Sequence, residues 1–522
     1  MTLSAKTLQA GLDERVLKSA DQTAYIEDGR KISWRACAEW AEEMAGRLYK
    51  AGVRPKDRVG IWGVNSLVWV ICFWSVQCLG AVAVLLNPAY RAQEMREVLQ
   101  STDVDWLAVG ELKRGLNPQV ILEEILEDLP CLKKWFRFDE MARRDAGGDI
   151  LSLPKTADPE DTAVIIFTSG TTRSPKGVML GGGQIMRAMR DVSAHMGWQE
   201  TDRLLMPLPM FHGSGLNCGV VCALQSGMAM VIQKSYHSEK AMAAIEKDRC
   251  TVFNAVPSML ILMAGHPALT DYDLSSLRSG ILSGAAISPK TALRVKRQLG
   301  FRRLVLAYGM TETTTLNTMA AIDEPEECLA ASVGRPLTEM ALRIWACEGE
   351  REAAAGEMGE IQLSGYCVMQ GYYGLPELSE KSMTRDGWFR TGDAGFMDIS
   401  GNLHFKTRLS EMIVRGGENI SPAEIEAAIQ EYDEAIRFVK VVGVPDDIMQ
   451  EEIAAVIGMK AGHIDREALT AFLKKRLAYF KIPKYIFETK RLAMTQSGKI
   501  DLKAVREEAS RSVKQQKEEE YV

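Results

Sequence analysis

Twenty consecutive residues, Leu67 to Leu86 (LVWVICFWSVQCLGAVAVLL), carry no charge. A bilayer span needs about 20 apolar residues, so this segment forces a choice between a membrane helix and a deeply buried layer. Gly80 divides it into a helix-length piece and a β-branched piece, Ala81-Val82-Ala83-Val84, which stops at Asn87-Pro88. Ahead of it, Arg58-Val59-Gly60-Ile61-Trp62 reads as a strand. Strand, helix and strand buried on all faces give the same hydropathy without a membrane. The segment therefore predicts a buried strand–helix–strand unit and no transmembrane segment.

The chain has 522 residues, enough for about two to four domains. Hydrophobic residues make up 46% and charged residues 25%, the balance of a globular protein. A net charge of -6 implies no broad basic surface for nucleic acid, so any anionic ligand must find its positive partners locally. Ten cysteines run from Cys37 to Cys367 with no C-x-x-C pair. Cys218 and Cys222 are four apart but lack a second pair nearby, which favours buried free thiols over zinc or disulfides. The first twenty residues mix charged and apolar side chains without a hydrophobic signal core. Together these point to a reducing, cytoplasmic setting.

From about residue 20 to 400, strand-like runs alternate with amphipathic helical stretches, as at Met228–Gln233, Thr251–Val256 and Leu304–Leu306. The alternation predicts layered α/β subdomains. Residues 141–161 read as a loop, and glycines clustered over 356–401 suggest turns between short antiparallel strands. After Ser410 the texture changes to a compact α/β segment. There Ser421 and Glu424 form a capping-box pattern with Pro422 at the first helical position. A strand follows at Phe438–Val444 and a helix at 465–477, and the charged tail from about residue 505 is expected to fray.

The chemistry begins at Thr168–Gly177, TSGTTRSPKG, directly after the apolar run Ala163–Phe167. Backbone N–H groups, hydroxyls and Lys176 at a strand end suit a polyphosphate. The P-loop pattern fails, because Pro175 stands at its second glycine and Gly177 follows the lysine. The loop is either a different phosphate loop or a surface turn. Four later segments bear on that choice: Tyr308-Gly309-Met310-Thr311-Glu312, Arg390-Thr391-Gly392-Asp393, Arg408-Leu409-Ser410-Glu411 and Ser497-Gly498-Lys499. Singly, they read as a helix-start carboxylate, a turn aspartate, a surface arginine and a solvated lysine.

In this order they closely resemble the adenylate-forming superfamily of acyl- and aryl-CoA synthetases, adenylation domains and beetle luciferases. The resemblance covers residues from about 20 to 505. It implies a large N-terminal domain, here 1–408, of layered α/β subdomains with a small β-barrel-like subdomain. A small, mobile α+β C-terminal domain would occupy 409–522. The implied reaction joins a carboxylate to the α-phosphate of ATP and releases pyrophosphate. Both reactants are anions, so the site must hold them together and cancel their repulsion. Thr168, Ser169, Gly170, Thr171, Thr172 and Lys176 would clamp the β- and γ-phosphates. Glu312 would coordinate Mg²⁺, a hard cation that takes carboxylate and phosphate oxygens. Thr311 would touch the α-phosphate, while Gly284, Ala285, Ala286, Tyr308 and Gly309 would frame the adenine. Asp393 and Arg408 would bind the ribose. The catalytic group would be Lys499, His212, Thr168 and Glu312, with Lys499 at the bond being made and His212 beside the acid.

A second half-reaction is also implied. The C-terminal domain would turn about Ser410, withdraw Lys499 and bring in Arg415-Gly416-Gly417-Glu418-Asn419. Gly416 and Gly417 would leave room for the pantetheine of CoA, and Phe480 and Lys481 match positions that meet the CoA adenine in some relatives. The wording GGEN-x-x-P-x-EIE looks most like the CoA ligases. Several positions depart from the family pattern: Arg173 replaces a glycine, Ser410 replaces Asp or Lys, Thr407 replaces a glycine, and no proline precedes Lys499 within 492–496. The resemblance implies an acid:CoA ligase acting as a monomer or homodimer. A carrier-protein-loading acyl-AMP ligase is the alternative. Pocket candidates His212–Leu216, Asn254–Pro257, Ile281–Ala285 and Gly309–Thr313 are mostly small or apolar, which suits an alkyl or aryl acid.

Overall fold

The computed structural model describes residues 2–113, 115–142, 157–168, 175–285, 287–322, 332–346, 349–415, 418–446, 448–494 and 500–520. By internal contacts the chain forms two compact units. The first is Met1–Leu342, Leu363–Arg390 and Gly401–Leu403; the second is Arg343–Gln362, Thr391–Ser400 and His404–Val522.

In the first unit the uncharged run resolves into the helix Leu67–Cys78 and the strand Val82–Leu86. Ser66 caps the helix, its hydroxyl accepting from the Trp69 N–H at 3.1 Å. Nearly every side chain of the helix is buried. Trp69 stacks on Phe73 at 6.1 Å, Phe73 meets Trp74 edge-on at 5.0 Å, and the Trp74 indole N–H donates to the Tyr25 hydroxyl at 3.0 Å. This packing on all sides accounts for the missing charges. No helix among the described residues is long and apolar enough to cross a membrane.

Val82–Leu86 pairs parallel with Arg58–Trp62, register Arg58 to Val82. These two strands sit centrally in a seven-stranded sheet. Its order is Gly371–Tyr372, Lys176–Gly181, Thr162–Thr168, Val82–Leu86, Arg58–Trp62, Trp106–Val109, Lys134–Arg137. The last five strands are parallel, and the first two are added antiparallel. A second, nine-stranded sheet has a parallel centre formed by Arg303–Tyr308, Ser279–Leu282, Val252–Phe253, Arg203–Met206, Ala229–Ile232 and Thr23–Glu27. Open sheets of this kind bind ligands at the carboxyl ends of their strands. Thr168, Tyr308, Gly284 and His212 all stand at or just beyond such ends.

Arg15, fully buried on the helix Leu8–Ser19, ties the start of the chain to this unit. Its guanidinium donates to the Leu224 and Gln225 carbonyls at 2.9 Å each and pairs with Glu200 at 3.1 Å. The carbonyls it holds end the helical stretch that begins at Gly213 beside His212.

The glycine-rich region forms a four-stranded sheet in the order Met340–Ala346, Gly359–Gly365, Phe389–Met397, Leu403–Arg408. In the C-terminal part, Ile436–Asp446 and Gln450–Met459 pair antiparallel, and Tyr485–Glu488 adds parallel to the latter. The helix Pro422–Tyr432 starts at Ser421 as expected, but neither capping-box side chain makes its bond. Ser421 donates to the Lys406 carbonyl at 3.3 Å, and Glu424 takes both its oxygens to Lys481 at 2.7 Å. A full ammonium outcompetes a backbone N–H for the carboxylate.

The expectation of a frayed tail is also corrected. Leu502–Glu520 is a helix, opened by Asp501, whose carboxylate accepts from the Ala504 N–H at 3.0 Å. Val505, Ala509 and Val513 lie four residues apart and join a cluster with Val442, Val444, Ala454 and Val456. A stripe one residue wide is hidden by the surrounding charges when composition is averaged. Ala509→Asp, which places a carboxylate in that cluster, is expected to lower the stability of the second unit by several kcal/mol and so move its urea midpoint down. Glu507→Ala, on the exposed face, should stay within about 0.5 kcal/mol. Urea titration followed by circular dichroism distinguishes the two; a frayed tail would tolerate both changes.

Candidate active site

The strand Thr162–Thr168 ends at Thr168, which pairs antiparallel with Lys176 at the start of the next strand. The hydroxyl-rich segment is therefore the connection of a hairpin. A P-loop needs a helix there, so the failed pattern has a structural reason. Ser169–Gly170–Thr171–Thr172–Arg173–Ser174 lie outside the described residues, but both gateposts of the loop are fixed.

Opposite Thr168 stands Glu312, in a single 3₁₀ turn Thr311–Thr313 and 7% exposed. The Thr168 hydroxyl donates to Glu312 Oε1 at 3.3 Å, and the Tyr372 hydroxyl donates to the same oxygen at 3.2 Å. The Glu312 carbonyl accepts from the Met369 N–H at 2.8 Å. Lys176 Nζ lies 5.5 Å from the centre of the Tyr372 ring. Burial, and then the Glu312 charge, push the Tyr372 phenol well above its ordinary range, so it stays a donor.

The turn that holds Glu312 is tightly determined. A Cβ on Gly309 would meet the Thr315 carbonyl at 2.1 Å, so only glycine fits between Tyr308 and the returning chain. Thr314 and Thr315 adopt φ of 60° and 81°, which β-branched residues rarely do. Specific bonds hold them there. Thr314 Oγ1 donates to the Cys367 carbonyl at 2.7 Å, and Thr315 Oγ1 accepts from Asn217 Nδ2 at 2.9 Å.

Tyr308 is buried at the end of its strand, and Gly284, at φ 83°, opens the neighbouring loop 3.3 Å from Val256 by its would-be Cβ. Ala285 is exposed beside it; Ala286 lies outside the described residues. Asn254 ties two of the expected pocket segments, accepting from the Ile281 N–H at 3.0 Å, and it donates to the Cys218 carbonyl at 2.9 Å on the helix after His212. His212 precedes Gly213 and packs 4.3 Å from the Phe211 ring. The helix that follows is wound as a π-segment over Leu216–Val221, a form often found at functional sites.

In the second unit, Asp393 and Arg408 meet at 3.6 Å, with Asp393 buried and Arg408 exposed. Thr391 Oγ1 accepts from the Asp393 N–H at 3.0 Å and donates to the Ile361 carbonyl at 2.6 Å, which sets the aspartate's backbone. Arg415 and Glu418 pair across a hairpin whose tip, Gly416 and Gly417, lies outside the described residues, as does Lys499. Met494 and Ile500 bridge the base of the Lys499 segment, and the Asp501 N–H donates to the Ala493 carbonyl at 2.8 Å. Lys481 is engaged by Glu424, and Phe480 gives its carbonyl to Arg415 at 3.2 Å. Ser410 falls within the turn Leu409–Glu411.

Sequence reasoning missed Tyr372, Asn217 and the two strained threonines. Tyr372 sits in Gly371-Tyr372-Tyr373-Gly374, which reads as an ordinary turn; its contact with Glu312 spans 60 residues.

Residues 12–373 match the model of the AMP-binding enzyme family, and residues 424–499 match the AMP-binding enzyme C-terminal domain. A mitochondrial medium-chain acyl-CoA ligase of Bos taurus is 31% identical, over 97% of this chain and 88% of its own. A Mycobacterium tuberculosis CoA ligase, named for a methyl-dioxo-octahydroindenyl propanoyl group, is 30% identical over 96% and 99%. The o-succinylbenzoate CoA synthetase of Bacillus subtilis, solved with its acyl-adenylate intermediate, superposes with a TM-score of 0.82 at 27% identity, covering 94% of this chain and 96% of that one. The chain belongs to the adenylate-forming, AMP-binding enzyme family, as an AMP-forming acid–thiol ligase of the acyl-CoA synthetase type.

Arg415 also reports on the integrity of the C-terminal hairpin. Its guanidinium makes paired bonds to the buried Glu452 at 2.7 and 3.1 Å, with Lys484 3.6 Å away. Arg415→Ala is expected to cost about 2–3 kcal/mol by stranding Glu452, partly relieved by Lys484. Arg415→Lys should recover only part, because lysine cannot make the paired bonds. Denaturant unfolding of the three proteins measures both differences.

Proposed function

We propose that this enzyme activates an alkyl or aryl carboxylic acid as acyl-AMP with release of pyrophosphate, then passes the acyl group to CoA. The observation that supports this most directly is the Thr168–Lys176 gate beside the fixed, buried Glu312 oxygen. It sets the Thr168 hydroxyl and the Lys176 ammonium at the two ends of the hydroxyl-rich segment, with the Glu312 carboxylate bonded to Thr168.

The residues suit Mg²⁺. No cluster of three acidic, histidine or cysteine ligands occurs among the described residues, whereas Mg²⁺ is commonly held by one or two carboxylates together with substrate phosphates. Glu312 would be the protein ligand, and the ion would offset phosphate charge. The chain's own residues do the rest. Lys176 and the Ser169–Thr172 hydroxyls and amides hold the β- and γ-phosphates. Thr311 follows the strand end to the α-phosphate, and Gly284–Ala286, Tyr308 and Gly309 leave a slot for the adenine. In the second unit, Asp393 takes the ribose hydroxyls with Arg408 beside it. Lys499 stabilises the charge that develops as the carboxylate oxygen attacks the α-phosphorus.

For the second half-reaction, Ser410 serves as the hinge between domains 1–408 and 409–522, and Gly416 and Gly417 admit the pantetheine. Phe480 and Lys481 are the candidate CoA contacts, with Lys481 exchanging Glu424 for the nucleotide's phosphates. The enzyme is read as cytoplasmic, as a monomer or homodimer. Small residues around His212, Asn254 and Ile281 favour an uncharged alkyl or aryl tail.

CoA-dependent AMP release across fatty, alicyclic and aromatic acids tests the reading. Turnover is expected with one of these classes and little with dicarboxylates. If free CoA leaves the adenylate intact while a carrier protein's phosphopantetheine thiol discharges it, the carrier-loading alternative replaces the CoA ligase. Lys499→Ala is expected to lower adenylate formation by a hundredfold or more while sparing thioester formation from supplied acyl adenylate, a loss of the size found for single charge-stabilising donors. Equal loss of both half-reactions would remove Lys499 from its role.

A further inference from the structure

We propose that Tyr372 is a positioning residue for adenylation: its hydroxyl locks the Glu312 carboxylate in the orientation that receives Mg·ATP. The proposal rests on the adenylate-forming reading above. Three independent contacts carry it. Tyr372 donates to Glu312 Oε1 at 3.2 Å, the same oxygen that Thr168 reaches at 3.3 Å. Two donors converging on one oxygen define the rotamer and direct the other oxygen's lone pairs to a different partner. Next, the Tyr372 ring lies 5.5 Å from the Lys176 ammonium, within reach of a cation–π attraction. One side chain thus contacts both the carboxylate and the cation of the site.

The third contact is the backbone. Tyr372 pairs with Val178, the Tyr373 N–H donates to the Gly177 carbonyl at 2.8 Å, and the Met369 N–H donates to the Glu312 carbonyl at 2.8 Å. The segment 369–373 therefore bridges the strand that begins with Lys176 to the turn that carries Glu312. A freely rotating carboxylate would lose orientational entropy each time Mg·ATP bound; a pre-set one does not.

The test is Tyr372→Phe, which keeps the ring, the strand and the Lys176 contact while removing the hydroxyl. Calorimetric titration compares ATP with excess Mg²⁺ against ATP with chelator, for the wild type, Tyr372→Phe and Glu312→Gln. The wild type is expected to bind Mg·ATP more tightly than metal-free ATP. Tyr372→Phe should weaken Mg·ATP binding roughly tenfold, the size expected for losing a hydrogen bond to a charged group, and leave metal-free ATP unchanged. Its thermal midpoint without ligand should stay within a few degrees of the wild type. In steady state the Mg²⁺ concentration for half-maximal adenylation should rise, with KM for the acid unchanged. Equal Mg·ATP affinity in wild type and Tyr372→Phe overturns the positioning role. Equal weakening of both ATP forms also overturns it, because that would mark a structural effect. No Mg²⁺ preference in the wild type overturns the metal role of Glu312 and the positioning role with it.

Discussion

A buried carboxylate in an acidic chain is the constraint around which the first unit is arranged. Glu312 is almost out of water in a protein with a net charge of -6. An isolated carboxylate there would be expensive. Among the described residues its side-chain donors are the Thr168 and Tyr372 hydroxyls. Hydroxyl donors satisfy an oxygen without cancelling its charge, so the site retains an electrostatic appetite for a cation. A salt bridge would have stabilised the apo fold and made the carboxylate a poorer ligand. The same logic explains why Lys176 is held against an aromatic face instead of against Glu312.

The architecture delivers these groups from distant parts of the chain. Thr168 comes from a parallel strand of the seven-stranded sheet, and Glu312 from the loop after a strand of the nine-stranded sheet. Tyr372 comes from an antiparallel edge. The strained pair Thr314 and Thr315 closes the turn between them. Left-handed backbone at a β-branched residue costs about 1–3 kcal/mol, and the bonds to Cys367 and Asn217 offset it. Asn217 belongs to the π-wound helix beside His212, so that helix and the turn that carries Glu312 share a hydrogen bond.

Much of this was legible in the sequence where local signals were strong. The uncharged run split at the expected glycine into helix and strand because burial on every face leaves no room for charge. Asp393 and Arg408, chosen on motif order alone, meet in the structure. The strand expected over Thr251–Val256 shrinks to Val252–Phe253, and the next residue, Asn254, uses its side-chain amide to bond the neighbouring strand at Ile281 and the π-wound helix at Cys218. What could not be read was non-local. Tyr372 reaches Glu312 only through strand pairing, the capping box at Ser421 was lost to Lys481, and the tail's helix depended on a three-residue stripe finding a sheet face. Strain at Thr314 and Thr315 leaves no trace in residue type, since threonine is not the residue usually found at positive φ.

The buried Arg15 sets an order on how the protein can be made. Its guanidinium is satisfied by carbonyls 209 and 210 residues further along the chain. During synthesis the first helix emerges long before those acceptors exist, and an arginine cannot be buried without them. The opening helix must therefore wait, hydrated, until the ribosome has released the segment that follows His212. Domains generally fold as units during synthesis, and here the helix Leu8–Ser19 can be locked only once residue 225 has been made. A nascent chain that stalls before residue 225 cannot close this contact.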